Sequence, residues 1–161
     1  MDVLNVITPL IEIETKVGEL YDWFSKVFES DKEVSQTFYR MASEERSHAA
    51  LIRYAKRVLV ADKTFKLQTE INTDKIKKIL ELIEKTLEGK ETPSMEEAFK
   101  MASWVEQSCA ENPLECLLVE QYPQLGKLLS YLGRQDREHY TRLVKIAAKR
   151  SVELPKLEEE K

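Results

Sequence analysis

Only two histidines occur in this 161-residue chain, and each stands three residues after a carboxylate, as Glu45–His48 and Asp136–His139. That spacing places acid and imidazole on one face of a helix. In both cases the face is an apolar one. Val34, Phe38, Met41, Glu45, His48, Ile52, Ala55 and Leu59 follow one another at steps of three and four, and so do Leu125, Leu129, Leu132, Asp136, His139, Leu143 and Ile146, the stripe a helix turns toward a core. Burying an acid and an imidazole there is costly unless both find partners. A single copy reads as a core histidine bonded to a backbone carbonyl. Two copies point to a metal ion that satisfies both groups, because Leu129, Gly133, Asp136 and His139 repeat the offsets of Phe38, Ala42, Glu45 and His48.

Each motif has a second carboxylate upstream. Glu14 lies thirty-one residues before Glu45, in the stripe Leu10, Glu14, Val17, Tyr21, Phe24, Phe28. Glu106 lies thirty residues before Asp136, in the stripe Phe99, Ala102, Glu106, Cys109, Pro113, Cys116, Glu120. Tyr21 follows Glu14 by seven residues on the same face, where its hydroxyl can orient a buried carboxylate. The second half has Pro113 at that offset. Four carboxylates and two imidazoles suit two hard-to-borderline divalent ions, with oxygen donors bridging and one nitrogen on each.

The elements that must position these residues are helices. The first is expected from about Leu4 or Pro9 to Glu29, with a stop at Ser30-Asp31-Lys32-Glu33 and a Ser30–Glu33 capping box opening the second. A turn so short makes the two antiparallel neighbours. The second helix fades near Asp62, and residues 63–72 read as a linker. Asn72-Thr73-Asp74 then caps an amphipathic helix from Ile76 to Leu87, ending at Gly89. Thr92-Pro93-Ser94 opens the third main helix with proline in its first turn, and Tyr122-Pro123 starts the fourth, which runs to about Ser151. The expected architecture is all-α: a four-helix bundle over residues 1–153, with a long crossover at 63–92 carrying an extra helix and a charged tail at 154–161.

Composition agrees with one helical domain. Gly and Pro are scarce, at 4 and 5 residues, and 34% of the chain is charged. A net charge of −4 without a basic patch gives no reason to expect nucleic acid. No apolar run approaches membrane-spanning length, and no signal-peptide pattern opens the chain. The two cysteines suit a reduced, cytoplasmic setting, and the lack of a CxxC pair excludes a zinc ribbon or rubredoxin-type iron centre. Cys109 and Cys116 stand two turns apart, about 10 Å on a regular helix, too far for a disulfide without distortion. They read as small buried apolar residues, or, for Cys109, as a thiol lining the metal cavity.

With Glu14 and Tyr21, then Phe38, Ala42, Glu45 and His48, the chain resembles ferritin-like di-iron carboxylate proteins of the rubrerythrin kind. The second half carries the likeness with Glu106, Asp136 and His139. The resemblance implies a ferritin-like bundle holding two iron ions, with Mn or Zn as alternatives, on Glu14, Glu45, His48, Glu106, Asp136 and His139. It implies an oxidoreductase reducing hydrogen peroxide or dioxygen, or oxidising ferrous iron, and it implies a homodimer. Three departures stand out: Asp136 replaces a glutamate, Pro113 stands at the second-half aromatic, and Cys109 stands where rubrerythrins tend to place an additional glutamate. Without a rubredoxin-like domain in this sequence, electrons would come from a separate rubredoxin-type donor. The alternatives are an iron-binding protein without turnover and a helical interaction module with a degenerate site. The shorter Asp136, the proline bend, and Tyr21 on the first half together predict that the metal position nearer His139 is the weaker, and that the His48 side fills first.

Overall fold

The computed structural model describes residues 4–64, 74–89, 91–109 and 122–154. Pro113, Cys116, Glu120, Thr73 and the tail beyond Leu154, all named above, lie outside the described residues. Within them the chain forms α1 (Leu4–Val27), α2 (Lys32–Ala61), α3 (Asp74–Glu88), α4 (Met95–Cys109) and α5 (Pro123–Ala148), and no strand.

The apolar stripes set the packing. α1 and α2 form a hairpin with the most extensive contact among the described helices, α4 packs on α5, and α2 meets α5. The expected crossover helix is present as α3. It buries Ile76, Ile79 and Ile83 and lies mainly against α1. Its lysines and glutamates, bar none among the described ones, face outward or sit at the rim. At one end of the hairpin, Tyr21, Phe24, Phe28 and Phe38 form a ring cluster that Phe99 of α4 joins, 5.7 Å from Phe38 between ring centres. This cluster ties the two hairpins together beside the carboxylates.

Several helix ends differ from the sequence expectation. α1 begins at Leu4 and continues through Pro9, ending at Val27. A proline so near the N-terminus removes only one intrahelical bond, and burial of Ile7, Leu10 and Ile13 on either side of it holds the turn. The cap of α2 is Asp31 and not Ser30. Its carboxylate accepts the Val34 N–H at 3.2 Å. Glu33 turns away from the cap because Lys149 and Arg150 hold it. The cap of α4 is Ser94 and not Thr92. Ser94 Oγ accepts the Glu97 N–H (3.2 Å), and Glu97 Oε2 accepts the Ser94 N–H (2.8 Å), a reciprocal capping box. Proline disfavours the helical region for the residue before it, so Thr92 and Pro93 stay outside the helix. α5 starts at Pro123 as expected. It closes with a Schellman motif: Val152 N–H to Ala147 O (3.0 Å) and Ser151 N–H to Ala148 O (3.2 Å), with Ser151 left-handed at φ 57°.

Candidate metal centre

The six sequence-predicted residues come from all four main helices: Glu14 from α1, Glu45 and His48 from α2, Glu106 from α4, Asp136 and His139 from α5. All six are buried, none more than 7% exposed. The α1–α2 hairpin is tight at this level. A Cβ on Gly18 would sit in ordinary van der Waals contact, 3.5 Å from the Glu45 Cβ and from the Ala42 carbonyl oxygen.

The structure brings the six together around two centres that share Glu45. His48 Nδ1 lies 3.1 Å from Glu45 Oε2, 3.4 Å from Glu14 Oε2 and 3.8 Å from Asp136 Oδ1. His139 Nδ1 lies 2.8 Å from Glu45 Oε1 and 3.4 Å from Glu106 Oε2. The imidazole rings stack, with centroids 5.6 Å apart and planes 16° from parallel. Glu14–Glu45–His48 and Glu45–Asp136–His139 are each close enough in their donor atoms to hold one cation. Among the described residues, two buried side-chain atoms have no hydrogen-bond partner, Glu45 Oε1 and His139 Nδ1. They face each other at 2.8 Å without the alignment of a hydrogen bond. Buried orphans are rare, and a shared cation satisfies both, so the donor set fits a metal.

The electrostatics show the same demand. Burial pushes Glu14 and Asp136 well above the usual carboxylate range and raises Glu106, and neighbouring carboxylates add to the effect on all three. Burial acts on Glu45 in the same direction, but the His139 and His48 rings outweigh it and hold Glu45 down at about 2. Burial would lower both histidines. Glu14 and Glu45 instead push His48 up to about 10, and Glu106, Glu44 and Glu45 raise His139 further. Without a metal, the surrounding carboxylates Glu14, Glu44, Glu45 and Glu106 favour the protonated form of both imidazoles. Metal binding here displaces protons.

Tyr21 corrects one expectation. Its hydroxyl donates to Glu106 Oε1 at 2.5 Å, across the bundle, and not to the Glu14 of its own half. Seven residues span about 10 Å of helix axis, so Tyr21 lies well along α1 from Glu14, where α4 comes within reach. Burial and the Glu106 charge push the phenol well above its ordinary value, so it stays a donor. Cys109 is partly buried at the end of α4. Burial first, then the Asp136, Glu14, Glu106 and Glu45 charges, push its thiol well up, so a metal-free centre keeps it protonated.

The sequence reading missed Glu44. Its Oε2 lies 2.9 Å from His139 Nε2 and accepts from Arg142 at 2.7 Å, while Oε1 accepts from Arg40 at 3.0 Å. These partners hold its carboxyl far below the ordinary value against partial burial. Glu44 is one position off the apolar stripe and looks solvated in sequence. The available signal was Arg142, an arginine three residues after His139.

A family model for rubrerythrin matches residues 7–147. The chain belongs to the rubrerythrin family. The match spans all four main helices, the crossover and all six clustered residues, and the all-helical bundle is the ferritin-like fold of rubrerythrins. No curated protein and no solved structure matches the chain. No described helix is long and apolar enough to cross a membrane.

Proposed function

We propose that this rubrerythrin-family protein is a di-iron redox protein that reduces hydrogen peroxide or dioxygen with electrons from a separate donor. The observation that carries the reading is the facing pair of orphaned atoms, Glu45 Oε1 and His139 Nδ1, inside a buried set of four carboxylates and two imidazoles. Oxygen-rich donors with one imidazole per position favour iron, manganese or zinc among common divalent ions. Family membership favours iron. Glu14, Glu45 and His48 would hold one ion, and Glu45, Asp136, His139 and Glu106 the other, with Glu45 common to both.

When bound, iron supplies the electrons and the Lewis acidity for the reduction. The protein's own part is positional. Glu45 stands between the two imidazoles with one oxygen toward each. Tyr21 occupies Glu106 Oε1 and leaves Oε2 turned to His139. Tyr21 also joins the buried aromatic cluster to Glu106. Iron binding or handling without turnover is the second reading. It is favoured by Asp136, one methylene shorter than the Glu45 that it matches in the other half.

Anaerobic titration with ferrous iron, followed by peroxide, tests both. Two ions per chain, rapid oxidation and turnover with a reductant are expected; binding without turnover supports the second reading. Glu45→Ala and His48→Ala should each abolish tight binding of at least one ion. Unaltered stoichiometry in both variants would refute the assignment.

A further inference from the structure

The centre is built from two similar halves, and one feature breaks the likeness. In the register that pairs Glu45 with Asp136 and His48 with His139, Glu44 corresponds to Gln135 and Arg142 to Leu51. His139 therefore has a carboxylate at its outer nitrogen, Glu44 at 2.9 Å, clamped by Arg142 (2.7 Å) and Arg40 (3.0 Å). At the matching positions for His48 stand an amide and an aliphatic side chain. Gln135 donates to Glu138 on its own helix, at 3.0 Å.

We propose that Glu44 is a positioning residue for His139, and that the Glu44–Arg142 pair makes the His139 half of the centre the tighter of two unequal metal positions. The inference rests on the dinuclear reading above. A carboxylate at Nε2 holds the proton there, so the nitrogen left free when a metal displaces a proton is Nδ1, the one turned to Glu45 and Glu106. It also fixes the ring plane and raises the basicity of the donor nitrogen. Arg142 and Arg40 hold the carboxylate from both oxygens, so its orientation is set before a metal arrives. Glu44 is only a quarter exposed, and the bonds of both arginines here go to Glu44 and not to the six clustered residues. This order of filling reverses the one expected from Asp136 and Pro113. The third support for that expectation, Tyr21, serves the second half through Glu106.

The test is an anaerobic titration of the full chain with cobalt(II) alone, followed by its visible spectrum. The wild type should show two unequal steps. His48→Ala should keep the tighter step and His139→Ala should lose it. Glu44→Gln keeps the side-chain shape and removes the charge; it should weaken the first step by about 10–100-fold and shift the spectrum of the first ion. Gln135→Ala, at the matching position, should leave both steps unchanged. In the zinc-loaded protein, nitrogen-15 NMR should show His139 bound through Nδ1 with its proton on Nε2. Two steps unchanged by Glu44→Gln, His139 bound through Nε2, or a tighter step that survives His139→Ala would overturn the proposal and leave the dinuclear reading standing. A wild type that binds no cobalt would overturn both.

Discussion

Tyr21 is fully buried and gives its only proton to Glu106, a carboxylate that is itself buried. The pair links α1 to α4 through a single bond to a group that burial keeps from solvent. Removing one partner of such a bond leaves the other unsatisfied and costs about 1–3 kcal/mol. Tyr21→Phe conserves the ring that packs against Phe24 and Phe38, so the loss belongs to the hydroxyl. Thermal unfolding of the metal-free protein should show the variant destabilised by that amount. Equal midpoints would mean that Glu106 finds another donor. The same scale separates the two residues beside the motif: Glu45 faces inward to both imidazoles, while Glu44, one step along the helix, serves His139 from outside.

At the scale of the element, the C-terminus of α5 carries a residue in a costly conformation. Ser151 is left-handed, with φ 57°, and a Cβ in that region costs roughly 1–2 kcal/mol. The Schellman bonds from Ser151 and Val152, and the packing of Val152 on the core, hold it there. Ser151→Gly relieves the Cβ and adds some chain entropy to the unfolded state. A net stabilisation of up to about 1 kcal/mol is expected from denaturant unfolding. A destabilised variant would show that the serine side chain contributes more than its strain. α1 makes the complementary case. Pro9 lies inside the helix because buried neighbours on both sides outweigh one missing bond.

Over the whole molecule, the two halves are locked at one end by a charge clamp. Arg150, just past α5, forms a two-pronged pair with Asp31, the cap of α2, at 2.8 Å for both bonds, and reaches Glu33 at 2.9 Å. Lys149 joins at Glu33. Arg150 holds Asp31 below its ordinary value of 3.8, helped by the Val34 N–H, and Lys149 with Arg150 lowers Glu33 from 4.5. A carboxylate whose folded pKa is depressed contributes stability above its unfolded pKa and loses it as the pH falls through the folded one. Arg150→Ala should therefore lower the melting temperature at neutral pH, with the gap to wild type closing as the pH falls below about 4. The same gap at pH 7 and at pH 2.5 would show that the clamp acts through packing and not through charge.

The sequence alone determined which face of each main helix points inward, because the three-and-four period survives any arrangement of the helices. It thereby named all six residues that meet at the centre, the crossover helix and the bundle. Glu45 and His48, or Asp136 and His139, need no neighbour to declare their face. Contacts between helices depend on axial offset and side-chain reach, which periodicity does not encode. Only the tertiary structure could turn Tyr21 toward Glu106 and set Glu44 behind His139. The cap of α2 moved for the same reason. Ser30 has the right type for a cap, but Asp31 also meets Arg150 from 119 residues away, and that distant partner decides between two adjacent candidates.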